Sequence, residues 1–417
     1  MRLLSLLLLV VVVSACQQPV SVEPDPVSED KFRNAHLVPR AQTAGKDGDQ
    51  TALVFAVSPN SLLERYSILE RYALLERYAI VERYEFLEAF VGFSILVNSS
   101  ELDALAAEMS TDPDIAWIEP DFPVKGPVQK LALDPDGQML PPTLRQVGAD
   151  KSYTRSGDGR GSVDADIYII DSGVSHPDIN VVESRNFSTD PTADDLQGHG
   201  THIAGIAAAI DDKDGIVGVA PGARVHNFKV FGSSGTADVS VVIQAIEAVI
   251  AAKKASPEME AVINLSLGED VGTPEDTSLD LAVQAALDAG LAVVVAAGNH
   301  GGPIDTITPA HEERAITVGA GFFGMDDFSG HGAGVDIVAP GLLVTSLAPN
   351  VGGVYLMDGT SASAAHVTGA VALYFGKRKQ QTAAEAKDWI LTNAKNSWWA
   401  FPGSTPRRVL DVSGMRR

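Results

Sequence analysis

The amino-acid sequence predicts an α/β fold, a three-layer sandwich with a mostly parallel sheet, for the larger part of the chain. From about residue 142 onward, short apolar runs alternate with helical stretches. Buried apolar strands that are joined by helices form parallel sheets with helices on both faces. Upstream, residues 51–125 contain strands and a helix of their own, which predicts a small α+β domain.

The elements of the larger domain, residues 142–417, follow from this alternation. Its predicted strands are residues 165–170, 224–230, 261–267, 292–297, 315–318 and 335–339. Its predicted helices are residues 202–209, 240–254, 279–289, 361–375 and 383–393. The strand runs are largely apolar rather than alternating, as expected of strands that are covered on both faces.

Composition sets the broad class of the protein. The 417 residues are 45% hydrophobic and 20% charged, which is ordinary for a globular protein, and the net charge is −23. Such an acidic chain is repelled by nucleic acid and by anionic membrane surfaces, so neither is expected as a partner. We expect membrane contact only through a lipid anchor.

The first sixteen residues predict an export signal. Leu3 to Val13 is an apolar run that is too short to span a bilayer. It leads into Val13-Ser14-Ala15-Cys16, which resembles a bacterial lipobox and makes Cys16 a candidate for lipidation. The alternative is a plain secretory signal with an incidental cysteine. Cys16 is the only cysteine, so a disulfide within the chain is excluded.

Residues 17–50 are polar and predict a flexible linker between the signal and the small domain. In residues 51–125 we expect strands at 51–57, 90–97 and 114–121 and a helix at 101–109. A repeat with a period of six begins at Leu63-Glu64-Arg65-Tyr66 and ends at Val81-Glu82-Arg83-Tyr84. Its residue types favour a helix, although a duplicated tract without a specific role also explains it.

Three short motifs contain the residue types of a nucleophilic hydrolase. Asp171 ends an apolar strand, His199 begins a helix in Gly-His-Gly-Thr-His, and Ser361 begins an Ala-rich helix after Gly-Thr. A serine hydroxyl needs a histidine to take its proton and a carboxylate to orient that histidine. In an open α/β sheet, the carboxyl ends of the strands lie at one edge, which can bring the three side chains together.

Each motif also has a structural explanation. Asp171 could simply end its strand, Gly-Thr-Ser is a common turn, and His199 with His202 could bind a metal ion. The three motifs together, in the order Asp, His, Ser, make the catalytic interpretation the better one. The serine is not in Gly-x-Ser-x-Gly, which argues against an α/β-hydrolase esterase.

The region from about residue 142 to 414 resembles the subtilisin-like serine proteases, the subtilases. The resemblance rests on the three motifs and on further segments: Gly218-Val219-Ala220-Pro221, Ser266-Leu267-Gly268, Ala296-Ala297-Gly298-Asn299 and Ser404–Leu410. The serine helix departs from the family pattern, because Ala362 and Ala365 replace a methionine and a kinking proline.

The resemblance implies a site. Asn299 is expected to donate to the oxyanion. Substrate is expected to lie as an extended strand between two segments. These segments are Ser266, Leu267 and Gly268 and, on the facing edge, Gly235, Thr236 and Ala237. Leu267 is expected to favour apolar P1 side chains. Calcium is expected at an acidic loop, and the alternative there is a solvated turn. The calcium ligands that the resemblance implies are Asp178, the side chain of Asp212 and the carbonyl oxygens of Ile210, Asp214 and Ile216. No organic cofactor is implied.

Residues 51–125 resemble the inhibitor-type propeptide of subtilases, in Phe90-Val91-Gly92-Phe93 and Ile118-Glu119-Pro120-Asp121. Residues 126–141 are then a processing linker. The resemblance implies an extracellular or envelope-bound bacterial serine endopeptidase that acts on polypeptides and is made with its own inhibitor. Two rivals remain, namely a catalytically silent binding module on this scaffold and an esterase with the same triad.

Overall fold

The computed structural model describes the chain in segments: residues 50–57, 81–86, 92–98, 100, 102–109, 112, 115–121, 123–125, 137–322, 324–350, 353–397 and 400–416. The signal segment with Cys16, the polar linker that follows it and the first three repeat units therefore lie outside the described residues. Among the helices of the described segments, none has both the length and the apolarity needed to cross a membrane.

The small N-terminal domain is an antiparallel sheet with one described helix. Its strands are β1 (Gln50–Val57), β2 (Val81–Phe86), β3 (Gly92–Asn98) and β4 (Ile115–Pro120), and its helix is α1 (Leu102–Met109). The strand order is β2-β3-β1-β4. Leu105 of α1 packs on Phe55 and Phe93 from the two central strands, and all three side chains are buried.

The helix that we expected for the six-residue repeat is wrong for its last unit. Val81–Tyr84 lies in β2, which pairs antiparallel with β3. Side chains alternate between the two faces of a strand, so a period of six returns each repeat unit to the same face. A helix rotates each unit away from the last, as the sequence already indicated. The even period of the repeat therefore agrees with a strand, whereas the propensity of its residues had favoured a helix.

The large domain is built on a sheet that has nine strands among the described residues. Its strands are β6 (Asp166–Asp171), β7 (Val181–Asn186), β8 (Arg224–Lys229), β10 (Ala261–Leu265), β12 (Ala292–Ala296), β14 (Ile316–Ala320), β15 (Ile337–Ala339), β18 (Lys395–Asn396) and β19 (Arg408–Val409). Their order is β18-β19-β15-β14-β12-β10-β6-β8-β7. Every neighbouring pair is parallel except β18 with β19.

Helices cover both faces of this sheet. They are α2 (Pro142–Gln146), α3 (His199–Ala208), α4 (Val239–Ala255), α5 (Ser278–Asp288), α6 (Thr360–Lys377) and α7 (Ala383–Asn393). One buried cluster joins α3, α6 and α7 to one face, and another joins α4 and α5 to the other. The predicted three-layer, mostly parallel architecture is confirmed, and α6 runs unbroken through Ala365, where the family pattern has proline.

Short strand pairs surround the sheet. They are β5 (Pro123–Lys125) with β9 (Thr236–Asp238), β11 (Glu269–Asp270) with β13 (Ile307–Thr308), and β16 (Val344–Leu347) with β17 (Val354–Met357). The chain ahead of α2 also joins the large domain, because the Met139 N–H donates to the Gly215 carbonyl at 2.9 Å. Residues 137–141 of the predicted linker thus contact the large domain.

The parallel register brings the motifs to one edge of the sheet. Ile169 on β6 lies opposite Asn264 on the neighbouring strand β10. Asp171 is the last residue of β6, and Ser266 directly follows the last residue of β10, so both lie at the same edge of the sheet. This edge is the carboxyl end of the parallel strands, where ligand sites of open α/β sheets lie.

Candidate active site

Asp171 and His199 form a buried pair at that edge. His199 Nδ1 is 2.7 Å from Asp171 Oδ1, and the two residues are 2% and 0% exposed. Asp171 Oδ1 also accepts the N–H of Ser172 at 2.7 Å. Because Asp171 faces Nδ1, the ring's other nitrogen, Nε2, carries the lone pair of the neutral imidazole. Nε2 has no hydrogen-bond partner among the described residues.

A second carboxylate clamps the backbone around His199. Asp195 is buried, and its carboxylate accepts the N–H of Gly198 at 2.7 Å and that of Thr201 at 2.9 Å. It also accepts the Ser172 hydroxyl at 2.9 Å, and the Ser172 oxygen accepts the N–H of Gly200. The amides on both sides of His199 are thus tied to Asp195 and Ser172. Asp195 also satisfies N–H groups at the start of α3, which has no cap from Gly198.

Charges around His199 tune its basicity. Burial lowers the pKa of His199, but the carboxylate of Asp171, and more weakly that of Asp195, outweighs burial. The net result is a pKa above the ordinary value of 6.5. The imidazolium form is therefore stabilised, as a base that must accept a proton during a reaction requires.

Ser361 lies in the first turn of α6 and is 5% exposed. Its hydroxyl donates to the Ser266 carbonyl at 3.4 Å, and the Ser266 hydroxyl donates to the Ser361 carbonyl at 3.1 Å. Because Ser266 lies at the same sheet edge as Asp171, these bonds place Ser361 at the edge where His199 lies. The structure does not show a hydrogen bond between Ser361 and His199; such bonds often tighten only when substrate is bound.

Asn299 follows β12 at the same edge, and its side chain is held in one orientation. Its Oδ1 accepts the Thr360 N–H at 2.9 Å and the Thr360 hydroxyl at 3.0 Å. The same hydroxyl accepts the Gly298 N–H at 3.1 Å. With Oδ1 occupied by Thr360, Nδ2 is the donor that the exposed side chain of Asn299 can offer to a ligand.

The predicted substrate edge already carries a strand from the N-terminal region. β5 pairs antiparallel with β9, with Val124 opposite Ala237 and Lys125 opposite Thr236. β5 also contacts β11, which continues from the Ser266-Leu267-Gly268 segment. The chain after the small domain therefore lies extended along the expected Thr236-Ala237 edge and close to the strand that follows the Ser266-Leu267-Gly268 segment.

Two acidic side chains of the small domain dock on helices of the large domain. Asp121 Oδ1 accepts the Ser240 N–H at 2.9 Å, and Asp121 Oδ2 accepts the Ser240 hydroxyl. Glu119 Oε1 accepts the Ser278 N–H at 3.1 Å and the Ser278 hydroxyl. Ser240 and Ser278 lie in the first turns of α4 and α5, where backbone N–H groups lack helical partners. Burial raises the pKa of Glu119 to about 8, so its hydrogen bonds rather than its charge dock this side chain.

His202 does not form a metal pair with His199. Its Nε2 is 2.9 Å from the Val344 carbonyl oxygen, and the residue is fully buried. Burial lowers the pKa of His202 to about 3, so the ring stays neutral and donates to that carbonyl. His202 therefore packs α3 against β16.

Three of the five predicted calcium ligands lie around the side chain of Gln138. Gln138 Nε2 lies 2.9 Å from the Ile210 carbonyl oxygen, 3.4 Å from Asp212 Oδ1 and 3.4 Å from the Asp214 carbonyl oxygen. Asp178 is buried beside this loop, where its Oδ2 accepts the Ile216 N–H at 3.1 Å. Burial, reinforced by Asp212 and Asp214, raises the pKa of Asp178 to about 7. A hard cation would relieve this crowding of oxygens and suits their chemistry.

Three residues of these sites could not be predicted from the sequence. Thr360 stands inside the Gly-Thr-Ser motif, but nothing in the motif indicated that its hydroxyl orients Asn299. Asp195 lies four residues before His199, in a loop without periodicity. Gln138 lies in what we took for a processing linker, so its contact with a loop more than seventy residues away was not visible.

Comparison with known proteins agrees with this geometry. A family model described as the subtilase family matches residues 164–409. An alkaline protease of Alkalihalobacillus alcalophilus is 36% identical over 310 residues, which cover 73% of each chain. Subtilisin E of Bacillus subtilis (strain 168) is 36% identical over 300 residues, which cover 69% of this chain and 72% of subtilisin E.

A crystal structure of a cold adapted subtilisin-like serine proteinase matches with a TM-score of 0.54 and 27% identity. The match covers 64% of this chain and 97% of the other. The fold of the large domain is thus shared with a solved proteinase across nearly the whole of that chain.

Proposed function

Because the chain belongs to the subtilase family and is a serine-type endopeptidase, we propose that it hydrolyses peptide bonds through an acyl-enzyme on Ser361, with Asp171 and His199 completing the triad. The observation that carries this proposal is the buried 2.7 Å contact between Asp171 and His199 at the edge where Ser361 lies. No organic cofactor takes part.

In the acylation step, the Ser361 hydroxyl leaves the Ser266 carbonyl, gives its proton to His199 Nε2 and attacks the scissile carbonyl carbon. Asp171 holds the ring and stabilises the imidazolium that forms. His199 then gives the proton to the leaving amine, and the C–N bond breaks. In the second step, water loses a proton to His199, attacks the ester, and Ser361 leaves with that proton.

The developing oxyanion needs donors that are already in place. The Nδ2 group of Asn299 and the backbone N–H of Ser361 are suited to this role, because Thr360 fixes the amide before substrate arrives. Preorganised donors of this kind stabilise the transition state more than the ground state.

Labelling by a serine-directed fluorophosphonate tests the function. We expect wild-type protein to be labelled, and Ser361→Ala to remain unlabelled while keeping its melting temperature. Absence of label on folded, propeptide-free wild type would favour the silent binding module. Hydrolysis of short acyl esters without hydrolysis of casein would favour the esterase.

We also propose that residues 51–125 act as an inhibitory propeptide. Three contacts support this proposal: β5 occupies the expected substrate edge, and Asp121 and Glu119 dock on the first turns of α4 and α5. A strand that is added to the edge of a cleft is how extended peptides are recognised. The scissile bond is expected between Lys125 and Gly137, ahead of the segment that is bound to the large domain.

Self-cleavage is tested with the Ser361→Ala variant. We expect this variant to accumulate as an uncut precursor, apart from removal of the signal, because the nucleophile is gone while the fold is kept. Conversion of purified Ser361→Ala protein to the mature size, with no other protease present, would refute self-cleavage by this triad. Active wild-type enzyme added in trans then tests whether the linker is accessible.

Calcium is the ion that we propose for the acidic loop. Asp178, Asp212 and the carbonyl oxygens of Ile210, Asp214 and Ile216 would hold it. The Gln138 side-chain amide, whose Nε2 now lies against three of these oxygens, would turn its own oxygen toward the ion. The ion would supply no chemistry to the peptide bond. It would neutralise the crowded oxygens and tie the chain ahead of α2 to this loop.

Export and anchoring are proposed from the N-terminal sequence alone. Residues 1–16 would direct the chain out of a bacterial cell, and Cys16 would carry lipid at the envelope. Gln17 follows Cys16, and a residue other than aspartate there favours the outer membrane of a double-membraned bacterium. Metabolic labelling with an acyl analogue tests this proposal. Equal labelling of wild type and Cys16→Ser would exclude lipidation at that cysteine.

A further inference from the structure

Three metal-ligating side chains meet at the start of α5, away from both the triad and the acidic loop. Asp276 precedes the helix, Asp280 lies in its first turn, and His311 follows β13 and Pro309. One ligand atom from each lies within 4.8 Å of the others. From this cluster and its bonding, we propose that Asp276, Asp280 and His311 bind a zinc ion.

His311 is oriented as a metal ligand. Its Nδ1 lies 3.3 Å from the Asp305 carbonyl oxygen and donates to it, so an incoming metal ion that displaces the proton of Nε2 would find the lone pair there. A metal-bound histidine usually donates its other ring N–H to a carbonyl or carboxylate in this way. The side chain is 8% exposed, and Nε2 has no hydrogen-bond partner among the described residues.

His311 Nε2 and Asp280 Oδ2 are within ion-pair distance, at 3.0 Å, although their angles are not those of an ideal hydrogen bond. The same oxygen also accepts the N–H and the hydroxyl of Thr277, at 2.9 and 2.8 Å. A metal ion bound between Nε2 and the carboxylate would take the place of this ion pair.

Asp280 also leaves an oxygen unsatisfied. The residue is 0% exposed, and its Oδ1 has no partner in the described part of the chain. A buried carboxylate oxygen without a donor is costly, and a cation at this place would satisfy it. Asp276 completes the set from the exposed side, where water can fill a further position. Its Oδ2 accepts Gln284 Nε2 at 2.9 Å, which orients the carboxylate.

The ligand types select the ion. One imidazole nitrogen with two carboxylate oxygens suits zinc, which is bound by histidine and carboxylate ligands at about 2.0–2.2 Å. Calcium and magnesium prefer oxygen ligands alone, so the histidine makes them poor occupants. Zinc here would join the start of α5 to the segment after β13. β13 pairs with β11, which follows the Ser266-Leu267-Gly268 segment. Because the three ligands lie away from the triad, the role of the zinc ion would be structural.

The test uses the full-length chain with Ser361→Ala, so that self-digestion cannot occur. The protein is stripped with EDTA, exchanged into chelator-free buffer with millimolar calcium, and titrated with zinc chloride in a calorimeter. We expect one equivalent to bind. At a hundredfold excess of zinc over Kd, the melting temperature should rise by about 5 °C.

Two variants locate the site, and one serves as a control. His311→Gln should abolish the bound equivalent and the shift in melting temperature, and Asp276→Asn should weaken binding by at least about tenfold. Asp280 is left intact because it caps α5. The control is His226→Gln: His226 also stands between two carboxylates, Asp166 and Glu183, but both of its ring nitrogens are bonded to them. It should bind zinc like the parent.

Circular dichroism establishes that each variant is folded. Two results overturn the proposal: no zinc binding by the parent, or an undiminished equivalent in folded His311→Gln. The second result would assign the ion to another site, such as the acidic loop or His199.

Discussion

Replacing Thr360 by valine should slow catalysis without weakening substrate binding. The Thr360 hydroxyl donates to Asn299 Oδ1 at 3.0 Å and accepts the Gly298 N–H at 3.1 Å. Valine has the same shape but loses both bonds, each worth about 1 kcal/mol. The Thr360 N–H still holds Asn299 Oδ1, so the asparagine loosens without leaving. Loss of all of this, about 2 kcal/mol, from the transition state alone would lower kcat about thirtyfold, which is the upper limit of the expected effect.

This loss should fall on kcat and not on KM, because the Asn299 donor is needed mainly by the oxyanion. It should also be smaller than the loss of an oxyanion donor itself, which in subtilisin costs about 10²–10³ in kcat. Steady-state hydrolysis of a peptide p-nitroanilide gives both constants. Thr360→Ser keeps the hydroxyl and is the matched control, with kcat within a few-fold of wild type. A kcat of Thr360→Val equal to wild type, or a loss that appears only in KM, would refute the reasoning.

Three further predictions concern the proposed propeptide, the base and the cation site. Asp121→Ala removes a side chain that accepts two hydrogen bonds from Ser240. When residues 51–125 are added in trans, this variant should inhibit about 10- to 100-fold more weakly than the wild-type segment. An unchanged Ki would show that this contact does not contribute to inhibition. The pKa of His199 is raised above 6.5, and the imidazole must be neutral to act as the base. The value of kcat/KM should therefore rise with pH, with its inflection above pH 6.5. An inflection below pH 6.5 would contradict the influence of Asp171. Calcium at a hundredfold excess over Kd should stabilise the mature enzyme by about 2.7 kcal/mol, measured by calorimetric melting. Gln138→Ala should reduce this stabilisation. An equal stabilisation of the variant would show that Gln138 is not a ligand of the ion.

The sequence predicted the large domain well because its signals are local. Apolar runs such as residues 292–297 and the helical stretch 361–375 appear as β12 and α6, with ends shifted by a few residues. Asp171 and His199 were found because their motifs place them at a strand end and a helix start. Parallel sheets gather such positions at one edge, so their proximity followed from the fold class.

Contacts between distant segments could not be predicted in this way. The bonds from Asp195 to the amides around His199 depend on the path of a loop without periodicity. The cluster of Asp276, Asp280 and His311 depends on how the segment after β13 packs on α5. We predicted a helix for the repeat that ends at Tyr84 because the helical propensity of its residues was given more weight than its six-residue period. Its even spacing pointed to a strand, and pairing with β3 decided the outcome.

The chain between β5 and Met139 has a consequence for how activity would be switched on. β5 pairs with β9 at the expected substrate edge, Met139 is bonded to Gly215, and residues 126–136 are the covalent connection between them. If residues 51–125 are the proposed propeptide, occupancy of that edge would be independent of protein concentration while the connection is whole. After the proposed self-cleavage, occupancy would follow a bimolecular equilibrium, so dilution below the inhibition constant would free the enzyme. A dense population of newly cut molecules would stay silent, and the same molecules would become active as they disperse.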